Sequence, residues 1–214
     1  MTIKTYIIYK QFFLQLKLEN RRILGMRFMI LYIFLILNIN GLAQTELQRF
    51  NIISKHDDIE IRNYEPAIYA SVTLPTNTNE QSSSFRILAG YIFGGNEENQ
   101  KIAMTAPVHM HRNDINGDKS LTMRFVMPDK YSIEDLSKPN DSRIEITKSE
   151  EKKFAAISFT GYNNDSKFLL NSNKLKKFLD SKNISYVDNP IYLGYDPPYK
   201  CWNRRNEVLF ELSN

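Results

Sequence analysis

Apolar residues recur at every second position through much of the chain after Gln44, and this alternation most restricts how the chain can fold. In the segment "DIEIRNYE", Ile59 and Ile61 share one face while Glu60 and Arg62 share the other. Successive side chains of a β-strand point to opposite faces, so this pattern predicts a strand with one buried face. The sequence therefore predicts a sheet-rich fold in which one face of the sheet is covered.

Further segments of this kind predict seven more strands. The Asn116-Gly117 pair favours a tight hairpin between the third and fourth predicted strands. The additional strands are predicted at 67–74, 99–112, 121–127, 143–148, 154–161, 190–195 and 206–212.

Two segments replace the alternation by helical spacing. The first helix begins within the polar connector 75–84, carries apolar residues at intervals of three and four, and is ended by Gly94-Gly95. The second spans 163–183, with Asn164 or Asp165 as its cap. The element order β-β-α-β-β thus occurs twice, and two such units can close over a shared core. The apolar positions are Phe85, Leu88, Ala89 and Ile92 in the first helix, and Phe168, Leu175, Phe178 and Leu179 in the second.

The N-terminal region predicts a secretory signal. Arg27 precedes the apolar segment 28–39, and Gly41 and Ala43 are small residues before a predicted cleavage between Ala43 and Gln44. The apolar segment is shorter than the ~20 residues of a membrane-spanning helix. We expect a signal peptide and a periplasmic or secreted mature protein, with an uncleaved anchor helix as the alternative.

Met26 directly precedes the charged start of this signal, so we expect residues 26–43 to be the signal peptide and 1–25 an over-extended start. Residues 1–43 hold six basic residues and one acidic residue, so their removal changes the net charge from +4 to −1. A near-neutral domain gives no electrostatic reason for nucleic-acid binding. We expect a monomer without a stable membrane span after cleavage.

His109 and His111 are weak candidates for a metal site. On a strand they point the same way, about 7 Å apart. Val108 and Met110 alternate with them and are expected to face the core, which places the histidines on the outer, solvated face. Solvated strand histidines are more common than metal ligands, and the sequence holds no second ligand cluster.

Catalytic signatures are lacking in the sequence. It contains no G-x-S-x-G, P-loop or dinucleotide fingerprint, and Cys201 is its only cysteine. We expect Cys201 to be buried, covered by Trp202 and the nearby tyrosines. An enzyme would need a carboxylate or tyrosine with a perturbed pKa in a cavity. Glu60, Tyr64 and Glu207 are the first residues to inspect for that role.

The apolar face of the first helix has two interpretations. It can pack as simple core, or it can border a groove for a flat hydrophobic ligand whose carboxylates meet basic residues at the rim.

Several motifs resemble the SOUL/heme-binding protein family. They are "KIAMTAPV" (101–108), "LGYDPPYK" (193–200) and "RRNEV" (204–208), together with "IEIRNYEPAIYASV", "YIFGGN" and "MRFVMPDKY" in the same order. The resemblance covers residues 45–212 and defines a domain at 44–214. It implies an α+β fold in which two β-β-α-β-β repeats form a distorted eight-stranded barrel with two flanking helices.

The resemblance further implies that the chain binds heme or a related tetrapyrrole in an apolar groove beside the first helix, without catalysis. The implied groove residues are Phe85, Leu88, Ala89 and Ile92, facing Ile191 and Leu193, or Tyr192 if the strand is set the other way. Lys200 is the implied partner of a propionate. No residue matches the axial histidine of some relatives. The alternatives are a hydrolase or other small-molecule-processing activity on the same scaffold, and a protein-interaction module without a ligand.

Overall fold

The structure, a computed structural model, describes residues 45–76, 79–115, 117–162, 164–197 and 199–213. The signal peptide at 26–43, its cleavage point and the extension at 1–25 lie outside the described residues and stay predictions. In the described ranges the strands are β1 (Glu46–Leu47), β2 (Phe50–His56), β3 (Ile59–Tyr64), β4 (Ile68–Pro75), β5 (Thr105–Ala106), β6 (Val108–Ile115), β7 (Asp118–Val126), β8 (Ile144–Lys148), β9 (Lys152–Thr160), β10 (Ile191–Gly194) and β11 (Arg205–Glu211); the helices are α1 (Glu80–Ile92) and α2 (Asp165–Ser181).

Nine of the strands form one antiparallel sheet that curls into a half-barrel. Its strand order is β2-β3-β9-β11-β10-β6-β7-β4-β8. The α+β class with a barrel-like sheet is therefore confirmed, although the sheet has nine strands rather than eight. The internal repeat stays a prediction. Among the described residues, no helix has the length and apolarity needed to cross a membrane.

The additional strand is β2, which the alternation pattern missed. It pairs with β3, but the register shifts between Ile52 and Ser54. A β-bulge inserts one residue on one strand, so the side chains beyond it change face relative to a regular strand. This shift removes the two-residue period from "FNIISKH", which is why the segment does not read as a strand in the sequence.

A short N-terminal strap, Glu46–Arg49, crosses the sheet. Its strand β1 pairs in parallel with β5. The backbone N–H of Gln48 donates to the carbonyl of Ala106 at 2.9 Å. The strap is also held at Asp129, whose backbone amide donates to the Glu46 carboxylate at 2.8 Å and whose carboxylate lies 2.6 Å from Arg49 Nε.

Helix α1 packs its inner face onto β4 and β7. Leu88 and Ile92 are buried in one cluster with Val72, Met123 and Phe125. Burying a side chain of this size stabilises the fold by about 1.5–3 kcal/mol, so this contact fixes α1 on the sheet. The helix ends at Ile92, and Gly94 follows with a φ of 110°, which confirms the predicted helix end.

Helix α2 packs in the same way on β9 and β11. Leu175 and Leu179 are buried with Ile157 and Phe210. The side chain of Asn164 accepts a hydrogen bond from the Lys167 amide at 2.8 Å, so the predicted cap is confirmed as Asn164.

The face of the sheet opposite the helices holds a buried polar cluster centred on Glu207. Arg62 donates to both carboxylate oxygens, from Nη1 at 2.7 Å and Nη2 at 3.0 Å. Tyr195, Ser158 and Arg205 donate to the same carboxylate at 2.8–2.9 Å. Burial alone would raise the pKa of Glu207, but hydrogen bonding and charge from Arg62 outweigh burial and lower the pKa to about 2.

Replacing Arg62 by methionine is expected to destabilise the protein by about 3–5 kcal/mol, because Glu207 would remain buried without its main partner. Urea unfolding followed by circular dichroism measures the change. The matched control is Lys152→Met, which breaks the exposed pair with Glu211 and should cost less than ~1 kcal/mol. Equal, small losses in the two variants would contradict a structural role for the buried pair.

The lowered pKa of Glu207 also predicts an acid dependence of stability. Its folded-state pKa of about 2 lies below the ordinary value of 4.5, so the carboxylate contributes stability that is complete above pH 4.5 and is lost as the pH falls through 2. Urea midpoints measured from pH 5 to about pH 2 should fall more steeply in the wild type than in the double variant Arg62→Met/Glu207→Gln. Parallel slopes in the two proteins would contradict this assignment.

Candidate functional site

One side of α1 and its C-cap residue carry an exposed stripe that is apolar except at its first position, which we call the α1 flank: Gln81, Phe85, Ala89 and Phe93. These residues recur every four positions, so each lies beside the next along a ridge that winds gradually around the helix. Phe85 is 42% exposed and Phe93 is 69% exposed. The ring of Phe85 also rests edge-on against Phe125 of β7, with centroids 5.3 Å apart. The flank thus offers aromatic surface at the border between α1 and the sheet.

Not all the predicted helix residues lie on this surface. Leu88 and Ile92 point beneath α1 and are fully buried in the core. Phe85 and Ala89 are the two predicted residues that the flank brings together, and Phe93 extends them. Any ligand beside α1 therefore meets the flank and not the underside of the helix, which the protein's own side chains fill.

A small cavity lies at the Gln81 end of the flank, between the first turns of the two helices. Its volume is about 30 Å³, enough for a water molecule. Arg112 lies at its edge and pairs with Asp165 of α2 at 3.1 Å, with both side chains largely exposed. The apolar part of its lining consists of Met110, Leu121, Phe168 and Tyr192.

Tyr192 decides between the two settings of β10 that the sequence left open. Its ring packs against Phe168 of α2, with centroids 6.3 Å apart, and its hydroxyl donates to Asn206 Oδ1 at 2.5 Å. Tyr192 therefore lies on the helix side of the sheet. Ile191 and Leu193 lie on the opposite side, where Leu193 is buried beside Tyr64 and Leu209.

The loop between β10 and β11 starts beside β6, because Gly194 pairs with Val108. In this loop the Lys200 amine lies 2.5 Å from Asp196 Oδ1. Trp202 is 76% exposed, and Cys201 is exposed as well. The expected burial of Cys201 is therefore wrong, because Trp202 projects into solvent instead of covering it.

The expected outer position of the histidines is also wrong. His109 is buried, and its Nε2 lies 2.8 Å from Gln48 Oε1 of the N-terminal strap. Tyr69 packs edge-on against the His109 ring at 5.4 Å. Burial, together with the nearby charge of Arg124, lowers the pKa of His109 to about 3. Val108 and Met110 do pack against the α1 core cluster, as expected.

His111 shares the sheet face of His109, away from α1, and is partly buried. His56 lies on β2, against Phe178 of α2. Among the described residues no group of three or more His, Cys, Asp or Glu side chains is arranged to hold a metal ion. A ligand on the α1 flank would therefore meet no imidazole there.

The three candidates for an enzymatic role share the sheet face away from α1. Glu60 and Tyr64 both bond to Arg62, and burial raises the pKa of Tyr64. Both oxygens of Glu207 accept hydrogen bonds from neighbouring side chains. An ionised carboxylate whose oxygens are engaged in this way is poorly placed for acid–base work.

Sequence reasoning missed several residues near the flank. Phe93 continues the four-residue spacing of Phe85 and Ala89, and Arg112 follows Met110 by two positions on the same strand face. Both were visible in the pattern. Gln48 carries no such signal, because its position depends on the path of the strap.

Comparison with known proteins places these features in context. The family model described as SOUL heme-binding protein matches residues 45–211. The chain is 27% identical to "Heme-binding protein 1" of Xenopus tropicalis over 160 residues, 72% of this chain and 84% of that protein. It is 29% identical to "Heme-binding protein 2" of Homo sapiens over 161 residues, 72% of this chain and 78% of that protein.

A solved structure titled as a hydrolase from Listeria innocua is also similar. It has a TM-score of 0.55 at 9% identity, covering 75% of this chain and 94% of that one. At that identity the likeness shows the fold alone.

The buried environment of His109 predicts an imidazole that stays neutral. Its C2-proton NMR signal should not move between about pH 5 and 8, the range in which an ordinary histidine titrates. In Gln48→Ala the strap loses the side chain that covers the ring, so the pKa should rise towards ~6.5. A wild-type His109 signal with a midpoint inside that pH range would contradict the burial described above.

Proposed function

Because the chain belongs to the SOUL heme-binding protein family, we propose that it binds heme or a related tetrapyrrole on the α1 flank, without transforming it chemically. Family membership and the relatives' names support heme as the ligand. The observation that carries the location is the exposure of Phe85 on α1 and of Phe93 at its C-cap.

Apolar contact would supply most of the affinity. A macrocycle that covers roughly 400 Å² of apolar surface would gain about 10 kcal/mol at ~25 cal/mol/Å². The loss of translational and rotational freedom costs at least about 4 kcal/mol, which leaves about 6 kcal/mol, a Kd of tens of micromolar. Aromatic rings favour a flat partner, because their faces stack on extended π-systems. Phe85 and Phe93 are the residues proposed to make this contact.

Arg112 borders this surface and can meet a ligand carboxylate, and Lys200 is the second cation that family resemblance implies as a propionate partner. Arg112 lies at the edge of the small cavity, in an exposed pair with Asp165. Lys200 is paired with Asp196 in the β10–β11 loop. The exposed Arg112–Asp165 pair contributes only about 0–1 kcal/mol, so a ligand carboxylate can replace Asp165 at little cost. Asp196 is only 13% exposed, so the Lys200 pair is held more firmly. Arg112 suits a carboxylate especially well, since guanidinium binds it through two parallel hydrogen bonds.

Bound heme would bring an iron centre, and the flank offers that centre no histidine. The residues of this chain would act by covering the apolar ring and neutralising the propionates. The remaining predicted groove residues, Leu88, Ile92, Ile191 and Leu193, would act indirectly, by holding α1 and β10 in place.

The filled underside of α1 favours a second candidate function, a protein-interaction module without a small ligand. In that case the aromatic flank would contact another protein. From the predicted signal peptide we also propose that the mature protein works in the periplasm or outside the cell. We further propose that it is a monomer, and its near-neutral charge supports the absence of a nucleic-acid partner.

Hemin titration of residues 44–214, followed by Soret absorbance, tests the proposal. Phe85→Asp places a charge on the flank and is expected to weaken hemin binding at least tenfold. The matched control is Leu170→Asp, an equally drastic change at an exposed residue of α2, which should leave the titration unchanged. Replacing His111 should not alter the spectrum. A folded Phe85→Asp protein with wild-type affinity would remove the α1 flank as the site.

A further inference from the structure

A second surface cavity lies on the other side of α1, away from the flank. It is a trough of about 760 Å³ between α1 and the segment that leads into β8. Successive helix residues are rotated by about 100°, which places Ser83, Ile87 and Gly90 roughly 140–160° from Phe85, with Arg86 about 100° from Phe85 on the outward crest of the helix. The opposing wall is formed by 140–144, with Tyr91 and Gly95 at the base. We call this cavity the α1 trough.

The walls of the trough are fixed by hydrogen bonds. The backbone N–H of Gly95 donates to the Gly90 carbonyl at 2.8 Å, and the backbone N–H of Asn140 donates to the Gly95 carbonyl at 3.1 Å. The buried side-chain amide of Asn96 donates from Nδ2 to the backbone carbonyls of Tyr91 and Gln100 at 3.0 and 2.8 Å. The cavity is therefore preformed, which lowers the ordering cost of binding.

Gly90 keeps the trough open. Glycine inside a helix is less favourable than alanine, and a Cβ at this position would meet no atom within 4 Å. A larger side chain would therefore fit at position 90, so steric crowding is not the reason for a glycine there. At Gly95 the reason is different, because a Cβ there would lie 2.7 Å from the Gly90 carbonyl oxygen.

The charges of the trough favour an anion. Arg143 pairs with Asp141 through contacts of 2.9 and 2.6 Å, and this pairing lowers the pKa of Asp141 to about 2. Asp141 is therefore ionised and already neutralised. Arg86 lies on the opposite wall, and no side chain in the described part of the chain pairs with it. One uncompensated positive charge thus faces a cavity that also contains Ile87 and Ile144.

We propose that the α1 trough binds an amphipathic organic anion, one acidic group on an apolar ring body, at a site distinct from the tetrapyrrole surface. Arg86 would hold the acidic group, which can be a carboxylate, phosphate or sulfonate. Ile87 and Tyr91 would contact the ring body. A cavity of this size is typical of small-molecule sites.

The test uses 8-anilinonaphthalene-1-sulfonate and its neutral counterpart N-phenyl-1-naphthylamine as fluorescent probes. Gly90→Leu fills the trough and favours the helix, so the variant should fold with an unchanged or higher melting temperature and lose binding of both probes. Arg86→Gln should weaken the sulfonate about fivefold or more and leave the neutral probe unaffected. Lys119→Gln, a change of the same charge on the exposed β6–β7 hairpin, should alter neither.

Phe85→Asp and hemin titration separate this site from the tetrapyrrole surface. Sulfonate binding should survive Phe85→Asp, and hemin binding should survive both trough variants. Sulfonate affinity within about twofold of wild type in Gly90→Leu and Arg86→Gln would overturn the proposal. Loss of hemin binding in Gly90→Leu would also overturn it, because the trough would then hold the tetrapyrrole itself.

Discussion

The packing of Leu88 and Ile92 of α1 onto β4 and β7 is the contact on which the surfaces of this protein depend. It uses the inner face of the helix completely, so only the sides and the outward crest of α1 remain for ligands. One side presents aromatic rings, and the other a polar trough whose Arg86 has no side-chain partner within the residues that the structure describes. The chemistry of the two surfaces differs because the two sides of the helix carry different residues, Phe85 and Ala89 on one side and Ser83 and Gly90 on the other.

The opposite face of the sheet obeys a different constraint. Charged residues there are buried and must therefore be paired, and Arg62 and Glu207 satisfy one another through two parallel hydrogen bonds. This arrangement uses the lone pairs that a catalytic carboxylate would need. The half-barrel interior is thus better suited to fixing the fold than to performing a reaction, which agrees with a binding role for the outer, helix-covered face.

Much of the fold was readable in the sequence, because half-buried strands and amphipathic helices have distinct periods. β2 escaped because its bulge shifts the pattern at Ile52, and the two-residue strands β1 and β5 are too short to have a period. The site was harder to predict. An apolar helix stripe looks the same over a core as beside a ligand, so Leu88 and Phe85 could not be told apart. Alternation in β10 showed that the side chains of Tyr192 and Ile191 lie on opposite faces of the sheet, but not which of the two faces the helices.

The strap at Glu46–Arg49 shows how a few residues can determine the solvation of a distant ring. Gln48 contacts His109 across sixty-one positions of sequence, and the strap that carries it is held by a two-residue parallel pairing and the contacts at Asp129. This N-terminal strap is therefore a wall of the interior rather than a tail. Trimming it would admit water to a dry imidazole and turn an inert histidine into an ordinary proton acceptor.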